Sequence, residues 1–367
     1  MTLLTSILIT PKGAVDLTEA DWELLVRQAR AANLLGRLDY LFIQNDVAKD
    51  INQKYLWHFN AAKTLSDKLM NNVLREIDEL TSALKEIGVA PVLLKGAAYQ
   101  AAGLPCCQGR LMSDIDLLVN KASLDKVQSH LLKFGWVSMP IKDYDQQYYR
   151  KWMHEIPPLK HATRQTTLDV HHNILPLTNK NTIDASRLGF RKVFHEWFGE
   201  VQTLNPLDTV IHSSVHLFTE SEFDNGLRDL SDLDMLIRHF TSTNKNYVNE
   251  LVIRANELEL ADYLSLTLRY TKMVLNTPIT PKATSSLNIK HQSRLSQTFW
   301  DFCFMNIFKP FHSSTQSWQM RVAKFILYWR GHLLRMPLKL LIPHLIRKSY
   351  MQIKDMFNDM HENKNNI

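Results

Sequence analysis

Pro91-Val92-Leu93-Leu94-Lys95-Gly96 and, beyond a polar loop, Ser113-Asp114-Ile115-Asp116-Leu117-Leu118-Val119 decide the reading of this chain. The first run is short and apolar. It ends in Lys-Gly before the Ala-rich segment Ala97 to Ala102, the pattern of a buried strand breaking into a helix. In the second run the side chains alternate, sending Asp114 and Asp116 to one face and Ile115, Leu117 and Val119 to the other. Two carboxylates held side by side are costly unless a cation neutralises them. Mg2+ suits the task, because it takes one or two carboxylates together with substrate phosphates. Gly96 lets backbone approach a triphosphate, and the helix that follows turns its first amides toward the same anion.

Working outward, Thr18 and Asp21 form a capping signal for a helix carrying Trp22, Leu25, Val26 and Ala29. A longer helical pattern from about Ala48 to Ile87 bears a stripe of Leu69, Val73, Ile77, Leu80, Leu84 and Ile87 and closes at Gly88. After the acidic strand, Leu124, Val127, Leu131 and Leu132 mark an amphipathic helix that stops at Gly135, and a strand is expected at Trp136 to Met139. Ile156-Pro157-Pro158 breaks regular structure. Thr167-Leu168-Asp169-Val170-His171 alternates again, with Leu168 and Val170 inward and Asp169 and His171 together on the other face. From Leu207 onward the pattern is helical, apart from a linker at Asn276 to Asn288.

At these residues the chain resembles the uncharacterised nucleotidyltransferase family of the polymerase-beta superfamily. Lys95-Gly96, Arg110 and Ser113-Asp114-Ile115-Asp116-Leu117-Leu118-Val119 carry the likeness, with Lys-Gly standing where most of the superfamily has Gly-Ser. The likeness runs from about Leu17 to about Lys348, though only the central motif is specific. It implies an α+β fold: a small mixed β-sheet of polymerase-beta type, flanked by helical N- and C-terminal regions. The divisions expected are a helical region over 1–90, a catalytic core over 91–176, a helical region completing the cleft over 177–280, and a helical, basic region over 281–367.

The implied activity is Mg2+-dependent attack by an acceptor on the α-phosphorus of a nucleoside triphosphate, with two metal ions. Asp114, Asp116 and Asp169 are the expected catalytic and metal-holding carboxylates, with Asp169 on a neighbouring strand. Lys95, Gly96, Arg110 and Ser113 are the expected nucleotide contacts, and His171, on the face of Asp169, is expected to stand behind the metal-holding carboxylates. The acceptor is left open between a small molecule, a protein and an RNA end. The competing reading is a catalytically inactive scaffold attached to a membrane-linked biosynthetic system.

His212 and His216 have the spacing of a zinc pair, but no Glu follows His212 and no third ligand is evident, so zinc is not expected. Asp232 is expected to secure helix packing through Arg228. The chain has 367 residues, 45% of them hydrophobic, enough for a substantial core. Its three cysteines make no disulfide framework and fit a reducing cytoplasm. The net charge of +6 is unevenly spread: between Trp318 and Phe357 eight Lys or Arg meet one Asp, which leaves the rest of the chain nearly neutral. That basic, apolar stretch suits either short helices packed on the domain or contact with an anionic membrane surface.

Overall fold

The computed structural model describes residues 1–112, 114–289 and 293–347. Its centre is a mixed sheet of seven strands: β1 (Val92–Leu94), β2 (Asp114–Leu118), β3 (Trp136–Ser138), β4 (Leu159–His161), β5 (Thr167–His171), β6 (Phe190–His195) and β7 (Gly199–Leu204). They lie in the order β3-β4-β5-β2-β1-β7-β6. β2 runs parallel to β5 and β1 parallel to β7, and the other neighbours are antiparallel.

Alternation along the central strands sends side chains to two separate cores. Leu93, Ile115, Leu117, Val119, Leu168 and Val170 face one side, where they meet Val73, Ile77, Leu80 and Leu84 from the helix Gln53–Glu86 and Val127 and Leu131 from the helix Leu124–Lys133. Val92, Leu94, Leu118 and Leu204 belong to the larger core on the opposite face, shared with the helices Pro206–Thr219 and Gly226–Thr243. The Thr18 and Asp21 cap forms as expected, each side chain bonding the other's backbone N–H. Among the described residues no helix is long and apolar enough to cross a membrane.

The sheet is larger than the sequence suggests. β6 and β7 form a hairpin within 177–280, a stretch read as helix, and β4 follows directly on the two prolines. The hairpin escapes detection because its outer strand inverts the usual pattern. Phe190 and Phe194 are exposed, whereas Arg191 and Val193 are half-buried. Of the basic C-terminal stretch, residues 348–357 lie outside the described residues. The helix Trp318–Arg335 within it packs through Met320, Ala323, Leu327 and Gly331 and leaves Trp318 and Phe325 exposed.

Candidate functional site

β1 hands directly to the helix Lys95–Ala101, and the junction is Lys95 itself, at a φ of 44° in the left-handed region that side chains other than glycine rarely adopt. Leu94 pairs with Asp116 across the antiparallel β1/β2 ladder, so the next residue reaches the same carboxylate. Lys95 Nζ donates to Asp116 Oδ1 at 2.7 Å. On the other side of β2, the parallel register sets Asp116 opposite Asp169 and Asp114 opposite Thr167. His171 Nε2 reaches the same Asp116 Oδ1 at 3.0 Å.

Asp116 is thereby gripped from both flanking strands while only 3% exposed. Burial would raise its pKa, but the Lys95 ammonium and His171 outweigh burial and hold the carboxyl well below its ordinary range. Lys95 is shifted upward for the reciprocal reason: Asp116 overcomes the desolvation of the ammonium. Asp169 has the opposite fate. Burial, followed by the nearby charges of Asp116 and Glu155, pushes it up to about 7, and its Oδ1 is shielded with no hydrogen-bond partner.

A cleft of about 330 Å³ opens over this arrangement, between the ends of β1 and β2 and the helix Gly226–Thr243. Lys95, Gly96, Arg110, Asp114 and Asp116 all line it, so five of the expected residues converge on one concavity. Asp169 does not line the cleft; it stands beside Asp116 in the sheet. Ser113 lies outside the described residues. Seven carboxylates and three Lys or Arg side chains line the cleft, which makes its wall anionic. A polyanion entering such a space needs added cations.

Arg110 is anchored: its Nε donates to Asp232 Oδ2 at 2.8 Å, and Nη2 lies 3.7 Å from Asp229 Oδ1. A Cβ on Gly96 would stand 2.9 Å from Arg110 Nη1 and 3.2 Å from Met112 Sδ, so glycine is what allows the guanidinium to lie over this turn. Asp232 does secure packing, but through Arg37 and Arg110; Arg228 pairs with Asp229 instead.

Arg37, 1% exposed, is the residue that sequence reasoning missed. Its guanidinium bonds Asp232 Oδ1 at 2.8 Å, Ser231 Oγ at 3.0 Å and the carbonyls of Cys106 and Gln108. This ties the loop behind Arg110 to the helix Gly226–Thr243. Its signal was present: Arg37 falls three residues after Leu34 and one before Leu38, on the buried stripe of the helix Leu35–Gln44.

Burial pushes the pKa of both His212 and His216 down, that of the buried His212 to about 3. His216 faces Glu220, with Nε2 3.2 Å from Oε1. They do not group as metal ligands among the described residues; His154, Glu155 and His171 do.

A profile for the family described as "Uncharacterised nucleotidyltransferase" matches residues 18–276. The chain belongs to the uncharacterised nucleotidyltransferase family. The match takes in all seven strands and both walls of the cleft but stops short of the helices Arg294–Ile307 and Trp318–Arg335. No curated protein matches the chain. Among solved structures, the chain is similar to an antigenic nucleotidyltransferase-like protein from Paracoccidioides brasiliensis. The two share 14% identity with a TM-score of 0.36, over 58% of this chain and 96% of that one.

Proposed function

We propose that this member of the uncharacterised nucleotidyltransferase family moves a nucleoside monophosphate from a triphosphate to an acceptor in the cleft over β1 and β2. The observation that carries the reading is the convergence of Asp114, Asp116 and Lys95 on an anionic concavity, with a third carboxylate, Asp169, in register beside Asp116. The donor set suits Mg2+: oxygen ligands on rigid strands, one of them, Asp169 Oδ1, shielded and without a hydrogen-bond partner. Asp114, Asp116 and Asp169 would hold the metal, which when bound supplies charge neutralisation for the triphosphate and acidifies an acceptor hydroxyl.

The chain's own residues do the rest by positioning. Lys95 keeps Asp116 ionised and fixes its rotamer. Gly96, lacking a Cβ, lets Arg110 Nη1 lie close against the backbone of the turn. Asp232 holds that guanidinium over the turn, so an incoming phosphate meets a donor already in place. The acceptor oxygen forms a bond to the α-phosphorus as the bond to pyrophosphate breaks, and no covalent enzyme intermediate is needed.

The test is incubation of the protein with each α-labelled nucleoside triphosphate, Mg2+ and a cell extract. A labelled product that disappears in Asp114→Asn/Asp116→Asn supports the reading. No transfer from any triphosphate, or equal transfer by the variant, refutes it.

A further inference from the structure

His171 is 2% exposed, and its two ring nitrogens have different surroundings. Nε2 lies 3.0 Å from Oδ1 of Asp116, whose ionised state requires that this nitrogen carry the proton. In the neutral ring Nδ1 is then a bare lone pair. It points to Glu155, with Oε2 3.4 Å away, and makes no hydrogen bond. His154 brings a second imidazole to the same place: its ring centroid is 5.2 Å from that of His171, and its Nδ1 is likewise shielded without a partner. One donor atom from each of His154, Glu155 and His171 lies within 4.8 Å of the others.

The backbone builds this juxtaposition. Glu155 forms an antiparallel bridge with His171, Ile156 N donates to Val170 O at 3.1 Å, and His172 N donates to His154 O at 2.7 Å. The segment carrying His154 and Glu155 is therefore stitched along the end of β5.

From this geometry we infer that His154, Glu155 and His171 form a binding site for a divalent first-row transition ion such as Zn2+, separate from the nucleotide cleft. Two imidazoles and one carboxylate are a donor set that borderline ions prefer and that Mg2+ does not. Ligands on bonds of about 2.1 Å in a tetrahedron stand about 3.4 Å apart, the separation already present between His171 Nδ1 and Glu155 Oε2. A proton between those two atoms is the competing occupant, and burial-opposing partners do raise the pKa of His171. A proton would nonetheless leave His154 Nδ1 unserved, whereas burial keeps His154 uncharged and fit to ligate. Glu155 retains 19% side-chain exposure, which gives an ion a way in.

The Asp116–His171 bond completes the pattern, because ligating histidines donate their other N–H to a carboxylate that fixes tautomer and ring orientation. An ion here would clamp the 154–156 segment onto β5 and hold His171 against Asp116.

The site is independent of the nucleotide reading and is tested without turnover. Untagged full-length protein, stripped with a chelator, is titrated with Co2+ while visible d–d absorption is followed, and Zn2+ is then added in competition. One equivalent with strong, tetrahedral-type absorption should bind and be displaced by Zn2+, distinct from the weak absorption of Co2+ held by carboxylate oxygens alone. His154→Gln and Glu155→Gln should each weaken binding at least about tenfold, whereas His216→Gln and Asp114→Asn should leave it unchanged. Zn-edge X-ray absorption of the wild type, which needs no variant to fold, should count two imidazoles. Absence of saturable binding, equal binding by the His154 and Glu155 variants, loss of binding in His216→Gln, or a zinc shell without imidazole would each overturn the assignment.

Discussion

Asp116 and Asp169 are directly opposed in the parallel register of β2 and β5, yet they are held in opposite states of charge. Asp116 has Lys95 and His171 on one oxygen, while Asp169 has a shielded oxygen with no partner. Because the folded-state pKa of Asp169 is raised from 3.8 to about 7, the native state keeps a proton that the unfolded chain has lost between those values. The contribution of Asp169 to stability without added metal should therefore be fullest below about pH 4 and fall as pH rises toward 7, by up to about 4 kcal/mol. Urea denaturation across that range checks this: Asp169→Asn should flatten the decline, and an unchanged slope in the variant would assign it to other groups.

Lys95 neutralises a carboxylate that is almost wholly out of water. Lys95→Met should cost about 3 kcal/mol by leaving Asp116 with His171 alone. Lys95→Met/Asp116→Asn should recover at least half of that loss, since the buried charge has gone with its partner. Strictly additive losses in a denaturation cycle would show that the two side chains are energetically unconnected.

Arg37 and Arg110 share Asp232, one on each oxygen. Arg37→Met should lower stability by about 3–5 kcal/mol, because it leaves Asp232 half-compensated and strips donors from Ser231 and two loop carbonyls. Asp232→Asn should free Arg110 and weaken triphosphate binding even where the protein remains folded. Calorimetric titration with the nucleotide separates the two effects, and undiminished affinity in Asp232→Asn would mean that Arg110 needs no anchor.

Much of the site was legible because strand alternation is a local rule. It placed Asp114 and Asp116 on one face and Asp169 with His171 on another strand's matching face. The helix stripe at Val73, Ile77, Leu80 and Leu84 likewise packs as its spacing requires. What local spacing could not supply were partners brought from far along the chain. Arg37 meets Asp232 across a separation of 195 residues, and Arg164 reaches Glu76 across 88. His154 and Glu155 sit beside a proline pair that reads as a break, and only their bridge to β5 brings them to His171. The β6 and β7 hairpin was hidden by phenylalanines on its outer face.

In the proposed function the acidic strand and Lys95 grip a metal-bound triphosphate. The most direct measurement is the melting temperature of the wild type and of Asp114→Asn/Asp116→Asn with Mg2+ and each nucleoside triphosphate in turn. Saturation at about a hundred times the dissociation constant is worth about 2.7 kcal/mol of native-state stabilisation. The account predicts a rise of several degrees with at least one triphosphate in the wild type and none in the variant. An equal rise in both proteins, or no rise with any triphosphate, would contradict it.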